Sequence, residues 1–169
     1  MSGADAWDRL WTPHRLAYLR GENKPTHTDS GDDCPFCRAP SLDGGESLVV
    51  ARGELVYAVL NLYPYNAGHL MVCPYRHLAD YTELDTAEVA ELGMFTQHAM
   101  TTIRAVSGAQ GFNIGMNQGS VAGAGIAGHL HQHVVPRWGG DTNFITVVGA
   151  TKTMPELLEG SRDLIAAAW

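Results

Sequence analysis

Three histidines stand two residues apart within the stretch 128–137, and this spacing constrains the fold more than any other feature of the chain. They are His129, His131 and His133. Their apolar neighbours Leu130 and Val134 favour an extended backbone, in which successive side chains point to opposite faces of a sheet. The pattern predicts a strand with all three imidazoles on one face, about 7 Å apart. Such a row is either a polar surface stripe or a histidine-rich metal tract. We favour a functional row, because histidine is the residue that titrates near neutrality.

Length and composition indicate one globular domain, or one domain with an extension. The chain has 169 residues, of which 45% are hydrophobic, an ordinary share for a soluble protein. Its apolar runs are too short to span a membrane, and residues 1–8 lack the pattern of a secretory signal, so we expect a cytoplasmic protein. The net charge of −7 argues against a nucleic-acid or membrane-surface partner, but it allows a small polyanionic substrate held by local positive groups.

The chain divides into an extension and a main domain. Residues 1–33 predict a short helical extension that ends in a polar, mobile loop rich in Pro, Gly and Ser. Trp7 and Trp11 in this extension are expected to pack onto the domain or onto a partner subunit. We place the main domain at residues 34–169, with a helical extension at its C-terminal end.

Cys34 and Cys37 form a CxxC pair directly after the polar loop. In a cytosolic protein such a pair is either half of a zinc site or a redox pair. A redox pair sits between a strand and a helix, whereas here a loop precedes the pair and Pro40 follows it, so zinc is favoured. Tetrahedral zinc takes two further ligands, and without a second CxxC these must be histidines from elsewhere. The odd count of three cysteines argues against disulfides, and Cys73 is expected to be a buried thiol.

Alternating apolar residues after Ser47 predict an antiparallel sheet. The first three strands are joined by turns as a meander, and a fourth strand precedes a glycine-rich loop and the histidine strand. The predicted ranges of these four strands are 48–52, 55–60, 69–74 and 111–117.

Two helices complete the expected architecture. Apolar residues recur at helical spacing across 85–107, and Asp85 with Glu88 matches a capping box at the start. A final helix is predicted to begin near Thr153 or Pro155 and to run toward the C-terminus. The expected fold class is α+β: an antiparallel β-sheet meander with one long helix and a C-terminal helix.

The glycine-rich loop 118–128 and the histidines that follow it favour phosphate chemistry. Glycines either satisfy a tight turn or let backbone amides approach an anion closely. A neutral imidazole is a competent nucleophile toward phosphorus, and covalent catalysis divides one displacement into two easier steps. A neighbouring imidazolium could protonate the leaving phosphate oxygen. His69, at the start of a strand in the same meander, could orient one of the rings.

Two motifs in this order resemble the histidine triad (HIT) superfamily of nucleotidyl hydrolases and transferases. Residues 129–135 fit its His-x-His-x-His pattern with apolar spacers, except at Gln132. Residues 60–74 resemble the strand pair with which the family binds the nucleoside. The resemblance covers residues 34–140 and implies a HIT-like fold.

The resemblance implies a separate role for each histidine. His131 would attack the α-phosphorus and form a nucleotidyl-histidine intermediate. His133 would contact the phosphate or assist the leaving group, and His69 would support the triad. The resemblance also implies a structural zinc, held by Cys34, Cys37, His77 and His129. Such a closed Cys₂His₂ set is a sound tetrahedral zinc site, and it would fix the strand that carries His131.

Substrate contacts are implied at five positions. Asn61 would hold the ribose or a nearby polar group, and Asn117 and Gln118 lie where family members place amides that contact phosphate. One position departs from the family: four residues before the triad begins, many members carry a serine or glutamine, and this chain has Gly125. A backbone amide there, or the side chain of Ser120, would then take over the phosphate contact.

Residues 62–66 and 136–144 resemble the bacterial diadenosine tetraphosphate (Ap4A) phosphorylase-like branch of the family. That branch transfers the nucleotidyl group to inorganic phosphate, so a nucleotide and phosphate are the expected partners. The alternatives are a hydrolase of dinucleoside polyphosphates or nucleoside phosphoramidates, a zinc-stabilised nucleotide-binding module with little turnover, and a redox protein. The resemblance also implies a homodimer or a higher homo-oligomer.

Overall fold

The computed structural model describes residues 34–43, 47–141, 148–149 and 157–169. In this part of the chain, a five-stranded sheet forms in the order β1-β2-β3-β5-β4 with antiparallel neighbours throughout. The strands are β1 Val49–Arg52, β2 Val56–Leu60, β3 Leu70–Pro74, β4 Gly111–Gly115 and β5 Gln132–Arg137. The α-helices described with them are α1 Pro35–Arg38, α2 Thr86–Ser107 and α3 Leu158–Ala168.

The two faces of the sheet are covered by different parts of the chain. β2 and β3 are buried along their whole lengths, as expected for strands with apolar runs. One face packs against α2 and α3, where Leu70 and Ile103 belong to the larger core. On the other face, Phe36 packs with Tyr57 and with Cys73, which is fully buried as predicted. The α+β architecture with one long helix and a C-terminal helix is confirmed.

The strand order departs from a simple meander at one edge. β1, β2 and β3 form the predicted meander. β5 then lies between β3 and β4, so the fourth strand along the chain becomes the edge. The burial of the two strands explains the order. Three residues of β4 are exposed, which suits an edge, whereas Val134 of β5 is fully buried.

The ends of α2 are capped as the sequence predicts. The Asp85 carboxylate accepts from the backbone N–H of Glu88 at 2.8 Å, and the Glu88 carboxylate accepts from the backbone N–H of Asp85 at 2.9 Å. Gly108 ends the helix in the left-handed region, at φ 66°. The buried Glu88 also pairs with Arg76 at 2.6 Å, so the start of α2 is tied to the segment after β3.

A C-terminal helix is present as predicted. It starts at Leu158, and the preceding Leu157 offers no side-chain cap. The predicted start at Thr153 or Pro155 lies outside the described residues, as does the predicted extension 1–33. Among the described residues, no helix is both long enough and apolar enough to cross a membrane.

The strand predicted to carry all three histidines begins only at Gln132, so this boundary was wrong. The backbone N–H of Leu130 donates to the carbonyl of Leu78 at 2.7 Å instead of to a strand partner. His129 and His131 therefore lie before the ladder, and a purely local pattern could not reveal the competing contact with Leu78.

The predicted alternation of faces nevertheless holds where β5 begins. The Gln132 side chain donates to the Thr96 hydroxyl of α2 at 2.6 Å. The rings of His131 and His133 lie together, with 5.0 Å between their centroids. Gln132, which departs from the family's apolar spacers, thus links the histidine strand to the long helix.

Candidate active site and metal centre

Five rings form a row, called here the ring row, on the sheet face opposite α2. In order they belong to Phe36, His131, His133, His69 and Tyr65. Successive centroids lie 4.8 Å, 5.0 Å, 5.0 Å and 4.7 Å apart. The sheet register brings the distant members together, because β3 begins directly after His69 and pairs Met71 with His133. His69 and His133 are consequently diagonal neighbours on one face.

A cluster of four candidate metal ligands adjoins the Phe36 end of the ring row. Its members are Cys34, Cys37, His77 and His129, and one donor atom from each lies within 4.8 Å of the others. The Nδ1 of His129 is 3.4 Å from Cys34 Sγ and 3.5 Å from Cys37 Sγ, and the Nδ1 of His77 is 3.3 Å from Cys37 Sγ. Tetrahedral zinc with ordinary bond lengths separates sulfur from nitrogen by about 3.6 Å. The four residues therefore fit a Cys₂His₂ site for a tetrahedral metal ion.

The orientation of His129 supports the same conclusion. Its Nε2–H donates to the carbonyl oxygen of Pro74 at 2.9 Å, which leaves Nδ1 unprotonated and facing the two thiols. A ligating histidine commonly donates its other nitrogen to a carbonyl in this way. Burial lowers the pKa of His129 to about 4, so the ring is neutral and able to coordinate at neutral pH.

His131 has the opposite tautomer. Its Nδ1–H donates to the backbone carbonyl of His129 at 2.8 Å, so the lone pair is on Nε2. The residue is only 6% exposed, and burial lowers the pKa of its imidazole below the ordinary value. A neutral imidazole with its lone pair on Nε2 has the chemistry of a nucleophile. Phe36 packs against this ring and also, at 5.5 Å, against His129.

His69 and His133 form a hydrogen-bonded pair whose proton positions follow from one backbone group. The N–H of Tyr65 donates to His69 Nδ1 at 3.0 Å, so the neutral ring of His69 carries its proton on Nε2. That Nε2–H donates to His133 Nδ1 at 2.9 Å. The proton of neutral His133 is therefore on Nε2, the nitrogen that faces away from His69.

His133 is held neutral as well as oriented. Burial, with a smaller contribution from the nearby charge of His131, lowers the pKa of His133 to about 4. Protonation of His133 at Nδ1 would also oppose the Nε2–H of His69. The structure therefore favours a neutral Nε2–H donor over the imidazolium considered from the sequence. Such a donor can still stabilise negative charge on a phosphate oxygen.

The residues predicted to supply amide contacts differ in the hydrogen bonds that they already make. Asn61 follows β2, and its Oδ1 accepts from the N–H of Tyr63 at 2.9 Å; its Nδ2 makes no hydrogen bond to the described residues. Asn117 lies two residues beyond the pair formed by Gly115 and His133. Gln118 is exposed, and its Oε1 accepts from the backbone N–H of Tyr81 at 3.1 Å. Gln118 thus anchors the loop that follows β4.

Ser120 and Gly125 are exposed in the glycine-rich loop. Ser120 begins a short 3₁₀ helix, Ser120–Ala122, which ends at Gly123 with φ 86°. Within the described residues, neither Ser120 nor Gly125 hydrogen-bonds to a histidine of the ring row. Their phosphate contacts stay predictions.

Sequence reasoning missed two residues of the ring row, Phe36 and Tyr65. Phe36 stands inside the CxxC pair, and Tyr65 stands four residues before His69. Neither has a local signal, because an aromatic residue near a motif is usually part of the core. Their spacing from the motifs was visible, but their contacts depend on the packing of α1 and of the β2–β3 loop.

Comparison with known proteins agrees with the fold. Residues 45–140 match the HIT domain family. The chain is 52% identical over 169 residues to a protein of Mycobacterium tuberculosis named AP-4-A phosphorylase. The aligned region covers 98% of this chain and 86% of that protein.

Solved structures give the same result. A Zn-bound histidine triad family protein from Mycobacterium smegmatis superposes with a TM-score of 0.67 at 30% identity, covering 82% of this chain and 94% of that one. A hypothetical histidine triad nucleotide-binding protein from Sulfolobus tokodaii superposes with a TM-score of 0.65 at 29% identity, covering 80% of this chain and 91% of that one. This chain belongs to the histidine triad (HIT) family.

Proposed function

We propose that this protein is a nucleotidyltransferase that cleaves dinucleoside polyphosphates such as Ap4A, with inorganic phosphate as the acceptor. The hydrogen bond from His131 Nδ1–H to the His129 carbonyl carries the proposal, because it leaves Nε2 as the nucleophilic nitrogen. The 52% identity to a protein named AP-4-A phosphorylase supports the choice of substrate and acceptor.

The reaction would proceed in two displacements at the α-phosphorus. The lone pair of His131 Nε2 forms a bond to phosphorus, and the bond to the bridging oxygen breaks, so ATP leaves with that electron pair. The positive charge of the nucleotidyl-histidine is stabilised because Nδ1–H stays bonded to a backbone carbonyl. An oxygen of inorganic phosphate then attacks the same phosphorus, the nitrogen–phosphorus bond breaks, and ADP is released.

His133 would act on the phosphate oxygens as a neutral donor through Nε2–H. His69 would be a positioning residue, because its own Nε2–H fixes the tautomer of His133. Charge that develops on the phosphate oxygens is stabilised most by donors that are oriented before the reaction, and the His69–His133 pair supplies one such donor.

The remaining substrate contacts are proposed from the loops around the ring row. Asn61 would hold the ribose through Nδ2, since its Oδ1 is already bonded to a backbone N–H. Asn117 and Gln118 would contact phosphate, and a backbone amide at Gly125 or the hydroxyl of Ser120 would supply the contact that many family members make with a longer side chain.

We propose zinc as the ion at Cys34, Cys37, His77 and His129, held for structure. When bound, zinc would cross-link α1, the segment after β3 and the residue that precedes Leu130. The ring of His129 would then be unavailable as a base, and its carbonyl would be fixed as the acceptor for His131. The donor distances and the Zn-bound relative support this assignment.

The proposed organisation is a helical extension at 1–33 followed by a HIT domain at 34–169. Its partners would be a nucleotide, inorganic phosphate and a second copy of the chain as a homodimer or higher homo-oligomer. We propose a cytoplasmic location, and the net charge of −7 disfavours a nucleic-acid or membrane partner.

Product analysis after incubation with Ap4A, with and without phosphate, tests this function. We expect ADP plus ATP only when phosphate is present. AMP plus ATP without phosphate would identify a hydrolase, and nucleotide binding with no product would identify a binding module.

His98→Ala is the matched control for substitutions of the ring row, because His98 is an exposed histidine that contacts Trp169.

A further inference from the structure

Among the described rings, Tyr65 is the last member of the ring row, and about half of its surface is exposed. One face of its ring covers His69 and also lies 5.6 Å from the ring of His133, at an interplanar angle of 30°. The residue is nevertheless 54% exposed. Aromatic side chains generally bury most of their surface. A half-exposed ring stacked on the histidines of a reaction centre therefore indicates a ligand contact.

The β2–β3 loop holds this ring in place before any ligand arrives. Asn61 Oδ1 accepts from the backbone N–H of Tyr63, and the N–H of Tyr65 donates to His69. Asn66 donates from Nδ2 to the carbonyl of Pro136 at 2.9 Å. A surface that is already ordered loses little entropy when it binds.

The order of the ring row indicates which part of a substrate would meet Tyr65. His131 comes first, His133 second and Tyr65 beyond both. In the proposed function, His133 donates to oxygens near the breaking bond, so Tyr65 lies on the side from which the leaving group departs. For Ap4A the leaving group is ATP, which carries a second adenine. Bases stack on aromatic side chains with little dependence on sequence.

We propose that Tyr65 stacks on the nucleobase of the leaving nucleotide and thereby selects dinucleoside polyphosphates over compounds that end in a bare polyphosphate. The inference rests on the proposed function, and it adds a specificity residue that acts on the distal half of the substrate. His133 and Tyr65 then act on successive parts of one leaving group, the phosphates first and the base beyond them.

The test compares Ap4A with adenosine 5′-tetraphosphate as substrates of the full-length protein. Both give the same adenylyl-histidine, but the leaving groups are ATP and inorganic triphosphate, which differ by one adenosine. The ratio of the two kcat/KM values is the readout, and we expect Tyr65→Ala to lower it by about tenfold. Tyr65→Phe keeps the ring and is expected to restore the wild-type ratio.

Tyr63→Ala is the matched control. Tyr63 belongs to the same loop, is 80% exposed, and makes no ring contact with the described histidines, so its removal should leave the ratio unchanged. An equal loss on both substrates in Tyr65→Ala would mean that Tyr65 only supports the histidines, and an unchanged ratio would mean that it contacts no leaving base; either result overturns the inference. If the wild-type protein cleaves neither compound, the proposed function itself fails, and the inference fails with it.

Discussion

The metal end, where the metal cluster adjoins Phe36, and the other end of the ring row use the same histidine tautomer for different purposes. At the metal end, His129 donates Nε2–H to a carbonyl and turns Nδ1 toward two thiols. At the other end, His69 accepts at Nδ1 from a backbone N–H and donates from Nε2 to His133. One backbone group, a carbonyl or an amide, therefore decides which nitrogen of each ring is available. Two histidines with the same tautomer therefore differ in chemistry because of the groups that they contact.

His131 lies between these two ends and depends on the metal end. The carbonyl that fixes its tautomer belongs to His129, and the Phe36 ring that packs on it belongs to α1 between the two cysteines. We therefore expect that a substitution at the metal end lowers both the stability of the fold and the rate of turnover. A substitution at the other end should lower the rate of turnover and leave the bound metal unchanged.

The largest effect is expected from removal of a metal ligand. Cys34→Ala should lower the free energy of unfolding by several kcal/mol, because a structural zinc contributes its binding energy to folding. Metal analysis and thermal unfolding with and without a chelator measure this, and turnover should fall in parallel. Cys73→Ala is the matched control, since Cys73 is a buried cysteine outside the metal cluster. A Cys34→Ala protein with normal metal content and melting temperature would contradict the metal assignment.

A smaller effect, confined to turnover, is expected when His69 is replaced at the other end of the ring row. His69→Ala removes the donor that fixes His133, and kcat should fall about a hundredfold, the usual range for a positioned proton donor. Bound metal should be unchanged in the same preparation. Bound metal and kcat together distinguish the metal end from the His69 end of the ring row. A His69→Ala protein that lost its metal, or that kept the wild-type kcat, would contradict this prediction.

The smallest effect concerns acid stability. The pKa of folded His133 is about 4, below the ordinary value of 6.5, so the unfolded chain takes up this proton first as the pH falls. The contribution of neutral His133 to stability is complete above pH 6.5 and is lost as the pH falls toward 4.

The melting temperature of wild-type protein minus that of His133→Asn isolates this contribution from the titration of the metal ligands. We expect the difference to shrink between pH 6.5 and 4. A difference that stayed constant or grew across this window would mean that His133 is not held neutral by the fold.

The sequence predicted most of the fold because its local signals are strong. The capping box of Asp85 and Glu88, and the apolar alternation of β2 and β3, placed those elements within a residue or two. The position of β5 between β3 and β4 depends on long-range pairing, and no local pattern specifies it. The late start of β5 has the same origin, since it depends on the contact between Leu130 and Leu78.

The four candidate metal ligands could be predicted from the sequence, but the orientation of the rings in the candidate site could not. The resemblance to HIT proteins named the four metal ligands, which the structure brings together. The proton positions on the rings could not be predicted, because they depend on backbone partners that are far away in the sequence. The partner of His129, for example, is the carbonyl of Pro74. The same limit explains why the Nε2–H tautomer of His133 could not be predicted and why Phe36 and Tyr65 were missed.

We propose that His131 alone among the ring-row histidines forms a bond to phosphorus. The most direct test of this proposal is mass analysis of protein quenched shortly after mixing with Ap4A in the absence of phosphate. We predict one adenylyl group on the peptide that carries His131, lost when phosphate is added and absent from His131→Ala. An adenylyl group on another residue, or turnover by His131→Ala at the wild-type rate, would contradict the account.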